Sequence, residues 1–209
     1  GREKLLIDLK YTEAERPIVA QLFTAHPGKM EEAAKLTQAL GFDGLDINMG
    51  CPDRSVEKQG AGAALIKTPA LAQAVIRAAK LGAPNLPISV KTRIGYNRDE
   101  MDTWIPSLLE TGISALTIHA RTRKEMSKVP ARWERVTAAV ELRDKLAPKT
   151  RIIGNGDVRD LTHARELAKE TGADGIMLGR AIFGNPFLFS DQIPNTETKL
   201  KVLVEHTKL

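Results

Sequence analysis

A lone cysteine closes an apolar run in the segment Asp46-Ile47-Asn48-Met49-Gly50-Cys51-Pro52. Free cysteine is usually buried as a small hydrophobe. Set between Gly50 and Pro52 at a strand-to-loop boundary, Cys51 is instead expected to be displayed, as a proton donor would be. Its side chain is either a working thiol or an inert, half-buried one. A second group comprises two glycine-bearing turns, Gly154-Asn155-Gly156-Asp157 and Leu178-Gly179-Arg180. Taken singly each is a tight turn. At consecutive strand ends they read together as a phosphate cradle, because glycine lets backbone N–H groups approach an anion and Arg180 adds a charge-assisted contact. A third feature is the stretch from Arg121 to Arg135, with six cations and two anions. It is either a solvated face or a landing site for an anionic partner.

Other chemistry is excluded. One cysteine cannot form an internal disulfide, so nothing argues for an oxidising compartment. With no Cys or His cluster, no metal site is expected. Neither a Walker-type loop nor a Ser-His-Asp pattern is present. No apolar run is long enough to span a membrane and no basic-then-apolar leader opens the chain. The expectation is a soluble, cytoplasmic, monomeric protein. At 209 residues, 42% hydrophobic and 27% charged, the chain suffices for one sizeable core, and its net charge of +5 permits an anionic partner without requiring one.

These residues need elements to hold them. Short runs rich in Val, Ile and Leu occur at Ile18–Phe23, Leu45–Met49, Ile88–Thr92, Ala115–His119, Arg151–Gly154 and Gly175–Leu178. They lack polar alternation, as parallel strands covered on both faces do. Helical segments lie between them. Thr68 before Pro69 predicts a capped helix with Leu71, Ala74, Val75 and Ala78 on its apolar face, and Asp160 predicts another with Leu161, Ala164, Leu167 and Ala168. Gly41, Gly82, Gly112 and Gly172 each stand where a helix should stop in a left-handed residue.

The pattern is a βα repeat, hence an α/β fold with a parallel sheet. Gln21, Asn48, Cys51, Lys91, Arg93, His119, Arg121, Asn155 to Asp157, Gly179 and Arg180 all lie where strands stop. In a TIM-type barrel those ends share one rim, whereas an open sheet would spread them along a line. Convergence favours the (β/α)8 barrel, yet only six units are visible where closure needs eight. Either two units lie upstream or the fold is not a full barrel.

The motifs "AQLF" (20–23), "GLDINMGCP" (44–52), "GAGAAL" (60–65), "SVKTRIG" (89–95), "TIHARTR" (117–123), "GNGDV" (154–158) and "IMLGRAIFGNPFLF" (176–189) run in order over nearly the whole chain. In this the sequence resembles the flavin-dependent tRNA-dihydrouridine synthases. The resemblance implies that the six units are strands 3–8 of the barrel. Residues 1–195 would be an FMN-binding catalytic domain lacking its first two units, and 196–209 the start of a C-terminal helical segment. A longer chain or an unusual closure is then expected in the functional protein. The segment Ser127-Lys128-Val129-Pro130 departs from the family's usual Tyr-Lys-Gly.

What the resemblance implies chemically is reduction of the C5–C6 bond of uridine in tRNA, with FMN as cofactor and NADPH (or NADH) as reductant. Cys51 would protonate C5; an ordinary thiol is mainly protonated at neutral pH and can donate. Gln21 and Lys91 would meet the flavin ring, the ammonium stabilising negative charge on it. His119 would contact the flavin or its phosphate, and Asn155, Gly156, Asp157, Gly179 and Arg180 would complete the phosphate and ribityl site. Asn48 would face flavin and uracil, the Gly60-Ala61-Gly62 turn would be a mobile loop beside Cys51, and Arg121 and Arg123 would meet tRNA phosphates. Two other readings stay open: an FMN barrel acting on a free pyrimidine or small enone, and a non-catalytic RNA- or flavin-binding relative.

Overall fold

The computed structural model describes residues 6–190 and 194–208. Six strands, β1 (Val19–Leu22), β2 (Gly44–Met49), β3 (Ile88–Arg93), β4 (Ala115–His119), β5 (Arg151–Asn155) and β6 (Gly175–Met177), form one sheet in the order of the chain. Every neighbouring pair is parallel. A doubly wound open sheet would reverse its order at a switch point. Sequential order with a helix after each strand is the winding of a TIM barrel, here as a six-stranded arc.

The helices are α1 (Pro27–Ala39), a single turn α2 (Arg54–Glu57), α3 (Pro69–Gly82), α4 (Met101–Leu109), α5 (Trp133–Leu146), α6 (Leu161–Thr171) and α7 (Thr196–His206). Alternation within each strand sets the layers. Leu45, Ile47, Met49, Val90, Leu116, Ile118 and Ile152 are buried in one core with Met30, Val75, Ile76, Trp104, Ile105, Leu108 and Val136 from the helices. The opposite face of the strands carries Gln21, Asp46, Asn48, Lys91, Arg93, His119 and Asn155.

Two helix expectations need correction. Thr68 does precede α3, but its side chain makes no cap hydrogen bond, and α3 buries the expected Val75 and Ala78 together with Ala72, Ile76 and Ala79, while Leu71 and Ala74 are only half-buried. Asp160, by contrast, caps α6 through the N–H of His163 (2.7 Å). Gly41, Gly112 and Gly172 take positive φ, but Gly82 does not. Gly82 is small because α1 crosses there: a Cβ on it would lie 2.2 Å from the Glu31 carbonyl oxygen. The α7 helix forms where the sequence placed it, with Asn195 accepting from the Thr198 N–H (2.9 Å).

Candidate active site

Cys51 is half-buried and free. The peptide around it is clamped on every side. The N–H groups of Gly50 (3.1 Å) and Cys51 (2.9 Å) both donate to Asn48 Oδ1. The Gly50 carbonyl accepts from Arg93 Nε (2.9 Å), and the Cys51 carbonyl accepts from the Ala63 N–H (2.9 Å). The Gly60–Gly62 turn is packed under the cysteine rather than standing open, for Ala61 through Ile66 are all buried. Gly62 has φ +60°, and a Cβ on it would come within 2.8 Å of the Cys51 carbonyl oxygen.

Asn48 is itself held. Its Nδ2 donates to Gln21 Oε1 (3.0 Å), Gln21 Nε2 donates to Asp46 Oδ2 (2.8 Å), and Asp46 Oδ1 accepts from the Ser89 hydroxyl (2.6 Å). Lys91 sits opposite Asn48 in the ladder. It is half-buried and makes no hydrogen bond or ion pair with any described residue. Burial, and next the nearby Arg93, lower its pKa, while Asp46 and Cys51 oppose the shift. Such a cation can meet an anionic or electron-rich group.

Arg93 is buried and spends its guanidinium on backbone carbonyls, giving Nη1 to Thr122 (3.1 Å) and Met126 (3.0 Å) besides Nε to Gly50. It thereby ties the cysteine loop to the loop after β4. Burial foremost, then Arg93, Lys91 and Arg121, hold the His119 pKa down at about 3. Arg121 Nη1 lies 3.0 Å from His119 Nε2. A guanidinium only donates, so Nε2 accepts and the neutral ring carries its proton on Nδ1.

His119, Arg121, Asn155, Gly156, Asp157, Gly179 and Arg180 converge on one cavity of about 590 Å³. Asn155 Nδ2 donates to the Met177 carbonyl (2.8 Å), joining β5 to β6. Asp157 receives Arg121, the Ala131 N–H (2.9 Å) and Arg180 Nη2 (3.1 Å). The Arg121 hydrogen bond leads the causes that lower the Asp157 pKa. Nothing lies within 4 Å of a Cβ built on Gly179, so the turn borders open space. Gly154 answers a different need: the Trp133 ring presses on it, and a Cβ there would lie 2.4 Å from that ring.

Arg121 and Arg123, expected to meet tRNA phosphates, do not present free charges. Arg121 is 2% exposed and held by His119, Asp157 and the Val129 carbonyl. Arg123 makes a two-pronged pair with Glu57 of α2 and lies over the Tyr96 ring at 5.2 Å. Arg132 and Arg135 are likewise paired, with Glu125 and Asp99. The exposed cations of this stretch are Lys124 and Lys128.

Sequence reasoning did not single out Asp46, Ser89, Glu57 or Arg159, the last of which lines the cavity. For Asp46 a signal existed: it is a carboxylate inside an apolar strand, on the same face as Asn48.

The fold and this mouth define an arc of a TIM barrel whose rim joins a fixed thiol, an unpartnered ammonium and a cationic cavity. The dihydrouridine synthase family model matches residues 2–208, and the chain belongs to that family. It is 44% identical over 196 residues to a protein of Staphylococcus aureus (strain COL) named "Probable tRNA-dihydrouridine synthase", covering 93% of this chain and 59% of the relative. It is 46% identical over 193 residues to "Probable tRNA-dihydrouridine synthase 2" of Bacillus subtilis (strain 168), covering 92% and 59%. The chain thus spans about three-fifths of the length of these relatives. Among solved structures, morphinone reductase in complex with tetrahydroNAD superposes with a TM-score of 0.56 at 16% identity, covering 83% of this chain and 51% of that one. DHODH from Eimeria tenella gives 0.59 at 14% identity, covering 86% and 55%. These two show the shared barrel fold. No helix among the described residues is long and apolar enough to cross a membrane.

Proposed function

We propose that this protein is a tRNA-dihydrouridine synthase that uses FMN and a nicotinamide reductant in the cytoplasm. The observation that carries this reading is a free thiol on a peptide clamped at both N–H and C=O, in a mouth that also holds an unpartnered ammonium. The residues fit the cofactor. Lys91 would hold the ring through its ammonium, Gln21 and Asn48 have N–H groups to spare for it, and the cavity at Gly179 and Arg180 has room and charge for a phosphate. When bound, the reduced flavin supplies a hydride equivalent to uracil C6.

The chain's residues do the rest. Cys51 delivers a proton from Sγ to C5 as negative charge develops there. Asn48 and Arg93 hold the Cys51 peptide, so little reorganisation is needed at the moment of transfer. Lys91 stabilises negative charge at the rim. His119 stays neutral and donates from Nδ1. A uridine in folded tRNA reaches this depth only after it is unstacked and turned inward. Lys124 and Lys128 are the cations of the basic segment that stand ready for phosphates, while Arg121 and Arg123 shape the loop beneath them.

The test is Cys51→Ala in the full-length protein, assayed for dihydrouridine in tRNA by mass spectrometry. The expected loss is at least about a hundredfold with flavin binding unchanged. Uridine reduction at full rate would overturn the assignment. Turnover on a small enone that is insensitive to salt, without turnover on tRNA, would favour a small-molecule reductase.

A further inference from the structure

The hydrogen bonds leading to Cys51 run in one direction, anchored at one end by the Asp46 carboxylate, which only accepts, and at the other by the N–H groups of Gly50 and Cys51, which only donate. Asp46 accepts from Ser89 Oγ at 2.6 Å and from Gln21 Nε2 at 2.8 Å. A carboxylate has nothing to donate, so Gln21 must turn its NH2 toward Asp46 and its carbonyl toward Asn48. Asn48 answers with Nδ2 at 3.0 Å, which leaves its own carbonyl oxygen for the N–H groups of Gly50 and Cys51 at 3.1 and 2.9 Å. Reversing Asn48 would set N–H against N–H at the cysteine loop, and reversing Gln21 would set its NH2 against Asn48 Nδ2 and its carbonyl against the Asp46 carboxylate.

We propose that Asp46 is a positioning residue for Cys51, acting through the polarity it imposes on Gln21 and Asn48. The carboxylate never reaches the thiol; it selects the one orientation of two amides that clamps the Gly50-Cys51 peptide. A second consequence follows at the mouth. The polar hydrogens left over are the spare N–H groups of Gln21 and Asn48 and the ammonium of Lys91, so this side of the rim is rich in donors. It suits a ligand edge bearing carbonyl or ring-nitrogen acceptors. Only the catalytic consequence rests on the proposed function; the clamp itself does not.

The test uses the full-length protein without ligand and reads hydrogen exchange at the Gly50 and Cys51 amides by mass spectrometry. Asp46→Asn can donate as well as accept, so it permits Gln21 to flip. Exchange at the two amides is expected to rise roughly tenfold, the worth of about one hydrogen bond. Gln21→Leu, at an exposed position, should raise it similarly, and Asp46→Asn placed in that background should add nothing. Unchanged exchange in either single variant would overturn the proposal. So would an Asp46→Asn effect that persists undiminished in the Gln21→Leu background, for Asp46 would then act through Ser89 or through general stability. With tRNA as substrate, Asp46→Asn is expected to lower kcat about tenfold with little change in KM. Loss of exchange protection together with full activity in Cys51→Ala would leave the clamp standing and remove the proposed function.

Discussion

Replacing Lys91 by methionine should make the ligand-free protein more stable and a worse flavin binder. Lys91 and Arg93 lie on one face of β3, two residues and so roughly 7 Å apart. At an effective dielectric near 20 their repulsion is about 2 kcal/mol. Asp46, diagonally across the β2–β3 ladder, opposes it with a smaller attraction. Also uncompensated is the cost of withdrawing an ammonium from water without a hydrogen-bond partner, about 1 kcal/mol for a half-buried group. Methionine keeps the apolar stem and removes that cost. The urea midpoint should therefore rise by roughly 0.5 M for a slope near 2 kcal/mol/M. The advantage should also depend on pH. Because the folded pKa of Lys91 is lowered, both states hold the proton below that value and the penalty is complete. As pH rises from there to 10.5 the unfolded chain holds it longer, so the wild type gains and the gap closes. Titrated with FMN, Lys91→Met should bind roughly ten- to a hundredfold more weakly, the worth of a hydrogen bond to a charged group. A midpoint lowered by 0.5 M, or unchanged flavin affinity, would refute the claim that this ammonium waits for a ligand.

Two further outcomes follow from the same geometry. His119, with a folded pKa of about 3 against 6.5 in the unfolded chain, should take up close to one proton on unfolding once the pH is well below 6.5, so stability should fall as pH drops from 6.5 toward about 3; urea midpoints of His119→Asn should lose that slope, and equal slopes would show the ring to be charged in the folded protein. Gly62→Ala should cost about 2–4 kcal/mol, combining a left-handed alanine with a Cβ forced against the Cys51 carbonyl and Val56. Thermal unfolding measures that cost, and a change below about 0.5 kcal/mol would mean the turn is free to move.

Much of this was legible in the residues. All six strands lie within a residue or so of their apolar runs, and the glycines after α1, α4 and α6 mark where helices stop; the expected lack of polar alternation does not hold, since β2 and β3 turn Asp46, Asn48, Ser89 and Lys91 to the face opposite the core. Gly82 fooled the pattern since a helix-end glycine and a helix-crossing glycine look alike in sequence. Charge partners were not legible either. Arg121 and Arg123 stand two apart in a basic run, yet their carboxylates lie 36 and 66 residues away. Only the meeting of loops after β2, β4 and β5 decides which acid takes which arginine. That pairing turned an apparent cationic patch into internal struts.

The ladder register explains why residues so far apart in sequence share one mouth. Gln21 pairs with Asp46, and Asp46 with Ser89. Four residues further along β3, Arg93 pairs with His119, which pairs with Asn155, which pairs with Met177. The polar residues therefore follow a diagonal across the flat ladder. From Gln21 on β1 to His119 on β4 it climbs four residues over three strand steps. Two residues beyond Met177 it reaches Gly179, making six over five. A closed eight-stranded barrel of shear eight is staggered by one residue per strand, its strands tilted about 36° to the axis. A diagonal of that slope becomes level once the sheet is curled. Gln21, Asn48, Lys91, His119 and Gly179 thus lie on one ring at the carboxyl ends. Cys51, three residues past Asn48, stands just above that ring, where the proposed proton transfer to a base in the mouth would need it.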